Sequence, residues 1–518
     1  MQIIGYGLSY TREDVPLLEE HAVAERGVHV QFKGRTVAAF ILLTMAASTL
    51  VTLTVADQFI GIESSRTAGA ASSESSMSNS GLNTKELQKL NTVLGLIENK
   101  YFREVDRTKV LDGAVNGMME ALGDPYSVYM KKEVAQHFSE SIEGSFTGIG
   151  AGVQLKNGKI TVESAIKGSP AERAGVLPND VLRSVNGVSL DGLTLNDAVS
   201  KIRGPKGSKV KLVIERAGHA QPLQLTIVRD DIDYETVYAH LRSDGIGIIE
   251  IRQFSLNTGD RFADELAKLE KQHMKGLIID VRGNPGGVLP VVVSVAQPFV
   301  PKGEPIVQVE DKTGHREKTV SSGTGKSYPV AVLMNKGSAS ASEVLAGALK
   351  EEAHAVLVGE TSFGKGTVQV SYDKVLTDGS LVKMTIAKWL TPLGNWVHEK
   401  GLKPDVEVLP PDYYTVARLD KTKTLAPDTI DENTKSLQIM LSGLGYKVDR
   451  KDGYYSKVTQ QSVQAFQQKA GLPVTGFTDK ATAEKLEELL VQKVRDEASD
   501  TQLQKAVNVL EQKLRVAN

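Results

Sequence analysis

At 518 residues, with 41% hydrophobic and 24% charged side chains, the chain has the length and composition of a globular protein of several domains. Its formal net charge of −2 offers no electrostatic basis for a nucleic-acid partner. It contains no cysteine, which excludes disulfides, thiolate zinc sites and a cysteine nucleophile together.

Residues 1–35 precede Thr36–Ala56, TVAAFILLTMAASTLVTLTVA, a run of 21 uncharged residues. A helix of that length crosses a hydrocarbon core of about 30 Å. Lys33 and Arg35 precede the run and Asp57 follows it, so the positive-inside rule predicts a cytoplasmic N-terminus and everything after Asp57 outside. The alternative is a cleaved signal peptide, with small residues near Ala46–Ser48, which would release a secreted protein. The run exceeds the roughly 7–15 apolar residues of such signals, which favours a retained single-pass anchor. Residues 57–83 read as a flexible tether, since Glu63–Gly81 holds eight serines and almost nothing to bury. From 84 to 144 the pattern turns helical, with Leu87, Leu90, Leu94 and Ile97 spaced for packing or dimerisation.

Within 145–230, KITVES, VKLVIER and LQLTIVRD are short β-like bursts. TLNDAVSKIRG places Leu195, Ala198, Val199 and Ile202 on one helical face, with Thr194 and Asp197 suited to a capping box and Gly204 to the stop. This piece resembles a PDZ domain, most specifically in SPAERAGVLPNDVLRSVNGVSL, and FTGIGAGVQL is similar to that domain's carboxylate-binding loop. The resemblance implies that Gly148, Ile149, Gly150 and Ala151 offer successive N–H groups to a C-terminal carboxylate while the peptide adds a strand to the sheet edge. The plainer alternative is a small β-domain with a glycine turn and no ligand.

From 231 to 408 strand-like and helix-like runs alternate. GIGIIEI, GLIIDVRGNPGG, YPVAVLMN and HAVLVGE are short and apolar, which predicts a mainly parallel sheet. NKGSASASEVLAGALKE then supplies a glycine turn and a helix with Ser340 near its start, though serines at a small-residue helix N-terminus prove nothing by themselves. Val356–Gln369, VLVGETSFGKGTVQ, raises the question of a phosphate loop, because Gly359, Gly364 and Lys365 fit G-x-x-x-x-G-K-[ST]. The match fails at Gly366, where a magnesium-binding hydroxyl should stand. TVQVSYDKV then alternates like a strand, where a phosphate cradle needs a helix.

GSASASE and FGKGTVQ together, with Ser340 and Lys365 separated by 25 positions, resemble the carboxyl-terminal processing (tail-specific) proteases, Ser–Lys peptidases that carry a PDZ domain. The resemblance runs from Thr84 to Asp405 and includes LDGAVNGMMEALGDPYSVYM, DVRGNPGG and LTPLGNWVHEKGLKPDV. It implies Ser340 as nucleophile, Lys365 as general base and Gln369 as the residue that orients the lysine. The chemistry is coherent. Serine attacks when a base within hydrogen-bond reach takes its proton. A free lysine titrates at about 10.4, and burial can bring it to about 7–8, where it serves as that base. Gly364 and Gly366 would let the backbone turn and aim Lys365 inward. Gln369, being neutral, would hold the amine without stabilising its charge. The oxyanion needs backbone donors: Ala341 at the helix start, aided by the positive helix end, and Gly287 of DVRGNPGG in preference to Gly286. No G-x-S-x-G or H-E-x-x-H occurs, and His354 and His398 read as surface or polar-contact residues. No metal or other cofactor is expected.

Residues 409–427 form a proline-bearing linker. In 428–494, NTKSLQIMLSGLGY and KVTQQSVQAFQQKAGL are amphipathic, with Leu437, Leu441 and Leu444 on one face and Val463, Phe466 and Ala470 on another; Asp452-Gly453 turns between them. The pattern resembles the small three-helix peptidoglycan-binding domain, with Thr475-Gly476-Phe477 in place of that domain's usual DG before its last helix. A purely structural helical cap is the alternative. Residues 495–518 resemble the terminal helix of the protease family, which makes the wall-binding-like unit an insertion. That helix and Lys85–Glu120 would be a route to a homodimer. The fold expected is therefore multidomain α/β: a transmembrane helix, a helical region, a PDZ-like β-rich unit, an α/β Ser–Lys protease core and a three-helix module. The function expected is a serine endopeptidase outside the cytoplasm that engages exposed protein C-termini, with membrane and peptidoglycan as anchoring partners. The competing class is a non-catalytic PDZ and wall-binding scaffold. A peptidoglycan hydrolase would need paired carboxylates or a metal site, and no such motif stands out.

Overall fold

The computed structural model describes residues 81–517 apart from 157, 167, 217, 218 and 220. The expected anchor at Thr36–Ala56 and most of the tether lie outside the described residues. Among the described residues no helix is long and apolar enough to cross a membrane. Residues 145–234 form one compact unit, and the rest of the described chain forms another.

In the smaller unit an antiparallel sheet runs in the order Ala151–Lys156, Lys159–Ala165, Val181–Val185, Lys209–Glu215, Leu223–Val228. Val210, Leu212 and Ile214 are buried while Lys209 and Lys211 are exposed, the period of two that a strand with one covered face requires. The helix Leu195–Ile202 begins where Thr194 Oγ1 accepts the Asp197 N–H at 3.2 Å. Its Ala198 and Ile202 close the core with Ile160, Val162 and Leu212. The boundary expected at 230 falls short, because Asp230–Asp233 pairs with Ser145–Gly148 and ties the ends of the unit together. Ala151–Lys156 is the edge of the main sheet.

The larger unit is built on a six-stranded sheet in the order Val237–Leu241, Ile246–Ile251, Gly276–Asp280, Val330–Met334, Val356–Gly359, Val406–Glu407, parallel except at its first pair. Both faces are covered, which is why its strands read as continuous apolar runs. Ile249, Leu277, Ile279 and Val332 pack with the helices Thr258–Lys271, Leu289–Ala296 and Ala341–Glu352. Ile248, Ile278, Leu333 and Val358 pack with Leu503, Ala506, Val507 and Leu510 of the helix Thr501–Ala517.

A second sheet sets Val128–Met130, Leu381–Leu390, Pro305–Asp311 and Arg316–Val320 side by side, with Thr367–Tyr372 also paired to Leu381–Leu390. Residues 84–144 are thus not helical throughout. After the helices Thr84–Lys100 and Arg107–Glu120, the chain enters this sheet at Val128–Met130 before the helix Lys132–Glu143. Phe138 and Ile142 of that last helix are fully buried, whereas Thr84–Lys100 buries nothing and leaves Leu87 48% and Leu90 43% exposed. Of its apolar stripe, Leu94 and Ile97 are partly covered and Leu87 and Leu90 stay exposed.

Toward the C-terminus the helices Glu432–Gly443, Lys457–Ala470 and Lys480–Arg495 enclose Leu437, Leu441, Phe466 and Leu486. The expected linker is partly core: Leu419 and Leu425 are buried in the same cluster, and Leu425 bridges to Thr478. At the altered turn Gln467 acts as a template. Its Oε1 accepts the Thr475 and Gly476 N–H groups, and its Nε2 donates to the Phe477 carbonyl.

Candidate active site

The strand Val330–Met334 delivers the chain to Asn335, whose Oδ1 accepts the Gly283 and Gly337 N–H groups at 2.9 Å each. Ser338 Oγ donates to the Val281 carbonyl at 2.8 Å, and the Asn284 carbonyl accepts both the Ala339 N–H at 3.0 Å and Ser342 Oγ at 2.9 Å. These bonds lay the GSASASE turn against the DVRGNPGG loop. Ser340 then stands directly before the helix Ala341–Glu352, with φ 53° and ψ −114°. A side chain there crowds its own backbone at a cost of about 1–3 kcal/mol, and such strain gathers at functional turns. Gly286, at φ 108°, presses on this turn: a Cβ there would lie 2.9 Å from Ser340 Cβ and 3.0 Å from Ala341 N.

Glu343, fully buried in the first turn of the helix, organises both candidate catalytic backbones. Its Oε2 accepts the Ser340 and Lys365 N–H groups at 2.8 Å each, and its Oε1 accepts the Gly364 N–H at 2.7 Å and the Ser362 hydroxyl at 2.6 Å. One carboxylate oxygen therefore sets Ser340 and Lys365 side by side. Burial pushes the Glu343 carboxyl above its usual range, and the four donors pull the other way. Four donors and no acceptor suit the ionised form. Sequence reading passed over Glu343, whose one signal is its place in S-x-x-E behind Ser340, the spacing of a capping box.

Lys365 is completely buried. Burial lowers its pKa from 10.5 to about 8, against Glu343 and Asp124, which raise it. Its amine lies 5.1 Å from the centroid of the Tyr126 ring. Asp124 and Tyr126 come from ALGDPYSVY, a segment given no site role from sequence; pairing of Val128–Met130 with Leu381–Leu390 carries them here. Two indoles hold the lysine loop, Trp389 Nε1 donating to the Lys365 carbonyl and Trp396 Nε1 to the Gly366 carbonyl, both at 2.8 Å. Gly364 supplies the expected turn at φ 91°. Gly366 is needed for a different reason, since a Cβ there would meet Trp396 Nε1 at 2.7 Å and the His398 backbone nitrogen at 2.8 Å. His398 is a polar-contact residue: it stacks on Trp396 and its Nδ1 accepts the Gly366 N–H at 3.3 Å. His354 is exposed.

Gln369 is buried on the strand Thr367–Tyr372. Its Nε2 donates to the Thr367 and Thr385 hydroxyls at 2.8 and 3.1 Å, and its Oε1 has no hydrogen-bond partner among the described residues. The hydrogen bond expected between Gln369 and the Lys365 amine is therefore not made in this structure. A buried acceptor left bare costs about 1–3 kcal/mol, so Oε1 retains the capacity for a donor. The two glycines of the loop differ in the same respect. The Gly286 N–H is taken by Asn284 Oδ1 at 2.8 Å, whereas neither the Gly287 nor the Ala341 N–H has an acceptor among the described residues. Gly287, Ser340, Ala341 and Gln369 line one small cavity, walled by Leu289, Val344, Val368 and Trp389.

In the smaller unit Gly148 ends a strand, Ile149 is buried and Ala151 opens the edge strand. Gly150 has φ 76°, and a Cβ there would stand 2.3 Å from Ser169 Cβ. The Ile149 carbonyl accepts the Ala171 N–H at 2.7 Å, and the Gly150 carbonyl accepts the Ile166 N–H at 2.8 Å and Ser169 Oγ at 3.0 Å. With its carbonyls tied back, the loop leaves the Ile149 and Gly150 N–H groups without acceptors among the described residues.

Family models match four stretches of the chain: Peptidase family S41 over 245–408, the activating protease CtpB N-terminal domain over 42–134, the PDZ domain over 161–216, and a peptidoglycan binding domain over 431–486. The carboxy-terminal processing protease CtpB of Bacillus subtilis is 46% identical over 430 residues, covering 82% of this chain and 89% of that protein. The carboxy-terminal processing protease CtpA of the same organism is 44% identical over 430 residues, covering 83% of this chain and 91% of that protein.

Proposed function

This chain belongs to the carboxy-terminal processing proteases of peptidase family S41, and from that premise we propose how its residues divide the work of a PDZ-bearing serine-type peptidase. Ser340 Oγ attacks the scissile carbonyl carbon while the neutral Lys365 amine takes the hydroxyl proton. The carbonyl oxygen becomes an oxyanion held by the Ala341 and Gly287 N–H groups. Collapse breaks the C–N bond, the lysine returns its proton to the leaving amine, and water then hydrolyses the ester with Lys365 again as base. Gln369 Oε1 steadies the amine when it is protonated. The observation that carries this reading is the single buried carboxylate of Glu343, which binds the backbones of Ser340 and Lys365 together beside an amine at about 8. The direct test digests a denatured protein with the enzyme and with Ser340→Ala and identifies fragments by mass spectrometry. Fragments from the alanine variant would remove Ser340 from the nucleophile's role.

The PDZ unit, in this reading, takes a substrate C-terminus as an added strand along Ala151–Lys156, with its carboxylate on the N–H groups of the loop Gly148, Ile149, Gly150 and Ala151. The uncharged run 36–56, with Lys33 and Arg35 before it, anchors the protein in the membrane with the peptidase on the extracytoplasmic side. The module at 428–494 holds it to peptidoglycan. The exposed Leu87, Leu90, Val93 and Leu96 of Thr84–Lys100 support a contact between two copies of the chain.

A further inference from the structure

The DVRGNPGG loop is fastened to the nucleophile turn and also to the helix that follows the inserted module. Arg282 lies just past the strand Gly276–Asp280, its side chain 18% exposed. Every guanidinium N–H has an acceptor. Nε and Nη2 face Asp280 at 3.0 and 2.6 Å. Nη2 and Nη1 reach the two oxygens of Asp500 at 2.7 and 3.0 Å, and Nη1 also donates to Gln502 Oε1 at 3.1 Å. Gln502 Nε2 donates in turn to the Val408 carbonyl at 2.7 Å, where the peptidase segment of the chain ends. Asp280 is a local partner. Asp500 lies 218 positions from Arg282, beyond the three-helix module, at the start of the helix Thr501–Ala517.

This arrangement is unlike a surface ion pair, whose loss is worth little. The fork is bidentate and mostly buried, so removing one carboxylate strands a guanidinium with unfilled donors. Beyond Arg282 the loop is also held by its neighbours: besides the bonds to the nucleophile turn, the Phe254 N–H donates to the Gly286 carbonyl at 3.0 Å and the Phe254 carbonyl accepts the Val288 N–H at 2.8 Å. Asn335 accepts the Gly283 N–H at 2.9 Å, and Asn284 spans from the Ile251 carbonyl at 2.8 Å to the Gly286 N–H. The next residue, Gly287, lines the cavity that holds Ser340, and its N–H has no acceptor among the described residues.

We propose that Asp500 is a positioning residue of the peptidase: through Arg282 it fixes the loop that presents the Gly287 N–H, so the C-terminal helix belongs to the catalytic apparatus although it lines no part of the cavity. The proposal rests on the reading of Gly287 as an oxyanion donor. Asp500→Asn is the informative variant. Asp500 Oδ1 also accepts the Leu503 N–H at 2.9 Å, and asparagine preserves such a helix cap while removing the charge and one acceptor. In the full chain, kcat on a peptide substrate should fall on the order of ten- to a hundredfold, with KM within about twofold. Affinity for a peptide boronic acid, whose tetrahedral adduct with Ser340 needs the oxyanion donors, should fall in parallel. Asp500→Glu should recover part of the loss. A folded Asp500→Asn enzyme with unchanged kcat and boronate affinity overturns the proposal, and so does a change confined to KM. If near-ultraviolet circular dichroism shows that Asp500→Asn does not fold, Gln502→Met decides by removing one neutral acceptor: a smaller fall in kcat at constant KM supports the proposal and no fall overturns it. Ser340→Ala, run in parallel, must be inert; cleavage by that variant would refute the site reading itself, whatever Asp500 does.

Discussion

A completely buried lysine must either lose its proton or hold its charge at a cost. Burial brings Lys365 from 10.5 to about 8, outweighing the pull of Glu343 and Asp124. Below about 8 the folded and unfolded chains both bind the proton, and above about 10.5 neither does. Between those limits the unfolded chain binds more, so stability contributed at this site rises with pH across the window and the full cost is present at pH 7. Lys365→Met should therefore raise unfolding stability at pH 7 by roughly 3 kcal/mol while abolishing cleavage. Urea melts at pH 7 check this, and an unchanged midpoint would mean the buried charge is no burden. As the proposed base, the same amine should also shape the rate. Cleavage with chemistry rate-limiting should climb through an apparent midpoint of about 8, and Lys365→Arg should be inactive because a guanidinium keeps its proton. A profile level from about pH 6 to 9 would contradict the role of base. Ser340 and Lys365 can be read from their motifs because each motif is local. Asp124 and Tyr126 cannot, since they reach the lysine only through the pairing of Val128 with Lys383, far along the chain.

Among the elements, periodicity foretold those whose apolar pattern is settled within a few residues. KITVES, VKLVIER and LQLTIVRD are strands and TLNDAVSKIRG contains a helix, because alternate or every third-to-fourth side chains meet one core. Asp230–Asp233 escaped because DDID has almost no apolar signal and its partner is Ser145–Gly148, at the other end of the unit. Leu419 and Leu425 escaped for a similar reason: their neighbours are prolines and charges, and the core they enter is formed by later helices. The edge strand Ala151–Lys156 carries a prediction of its own. If the loop before it binds a free carboxylate through N–H groups, charge-assisted bonds of about 1.5–3 kcal/mol are at stake. A peptide acid should bind Ser340→Ala enzyme on the order of ten- to a hundredfold more tightly than its C-terminal amide by calorimetry. Equal affinities would show that side chains alone, and no carboxylate, are read.

For the whole molecule the question is which parts after Val408 the peptidase needs. The helix Thr501–Ala517 covers one face of the central sheet with Leu503, Val507 and Leu510 against Ile248, Ile278, Leu333 and Val358. Burying three such side chains stabilises by roughly 5–9 kcal/mol, as much as the entire net stability of many domains. A chain ending at residue 495 should therefore fail to fold. The module between is a different matter, because its core of Leu437, Leu441, Phe466 and Leu486 is its own. The Val408 carbonyl already meets Gln502 Nε2 at 2.7 Å, so a short glycine-serine linker can replace 410–495 without disturbing either end. That deletion should remove Leu419 and Leu425 together with the core they enter, and cleave a soluble unfolded protein within about twofold of the full enzyme's rate. It should also lose the co-sedimentation with purified peptidoglycan sacculi expected of the full soluble enzyme at high sacculus concentration. Cleavage lost with the fold intact would make the module part of the peptidase. Equal sedimentation of the two proteins would instead reduce the three helices to a spacer, with the Gln467-templated turn at Thr475-Gly476-Phe477 serving only their packing.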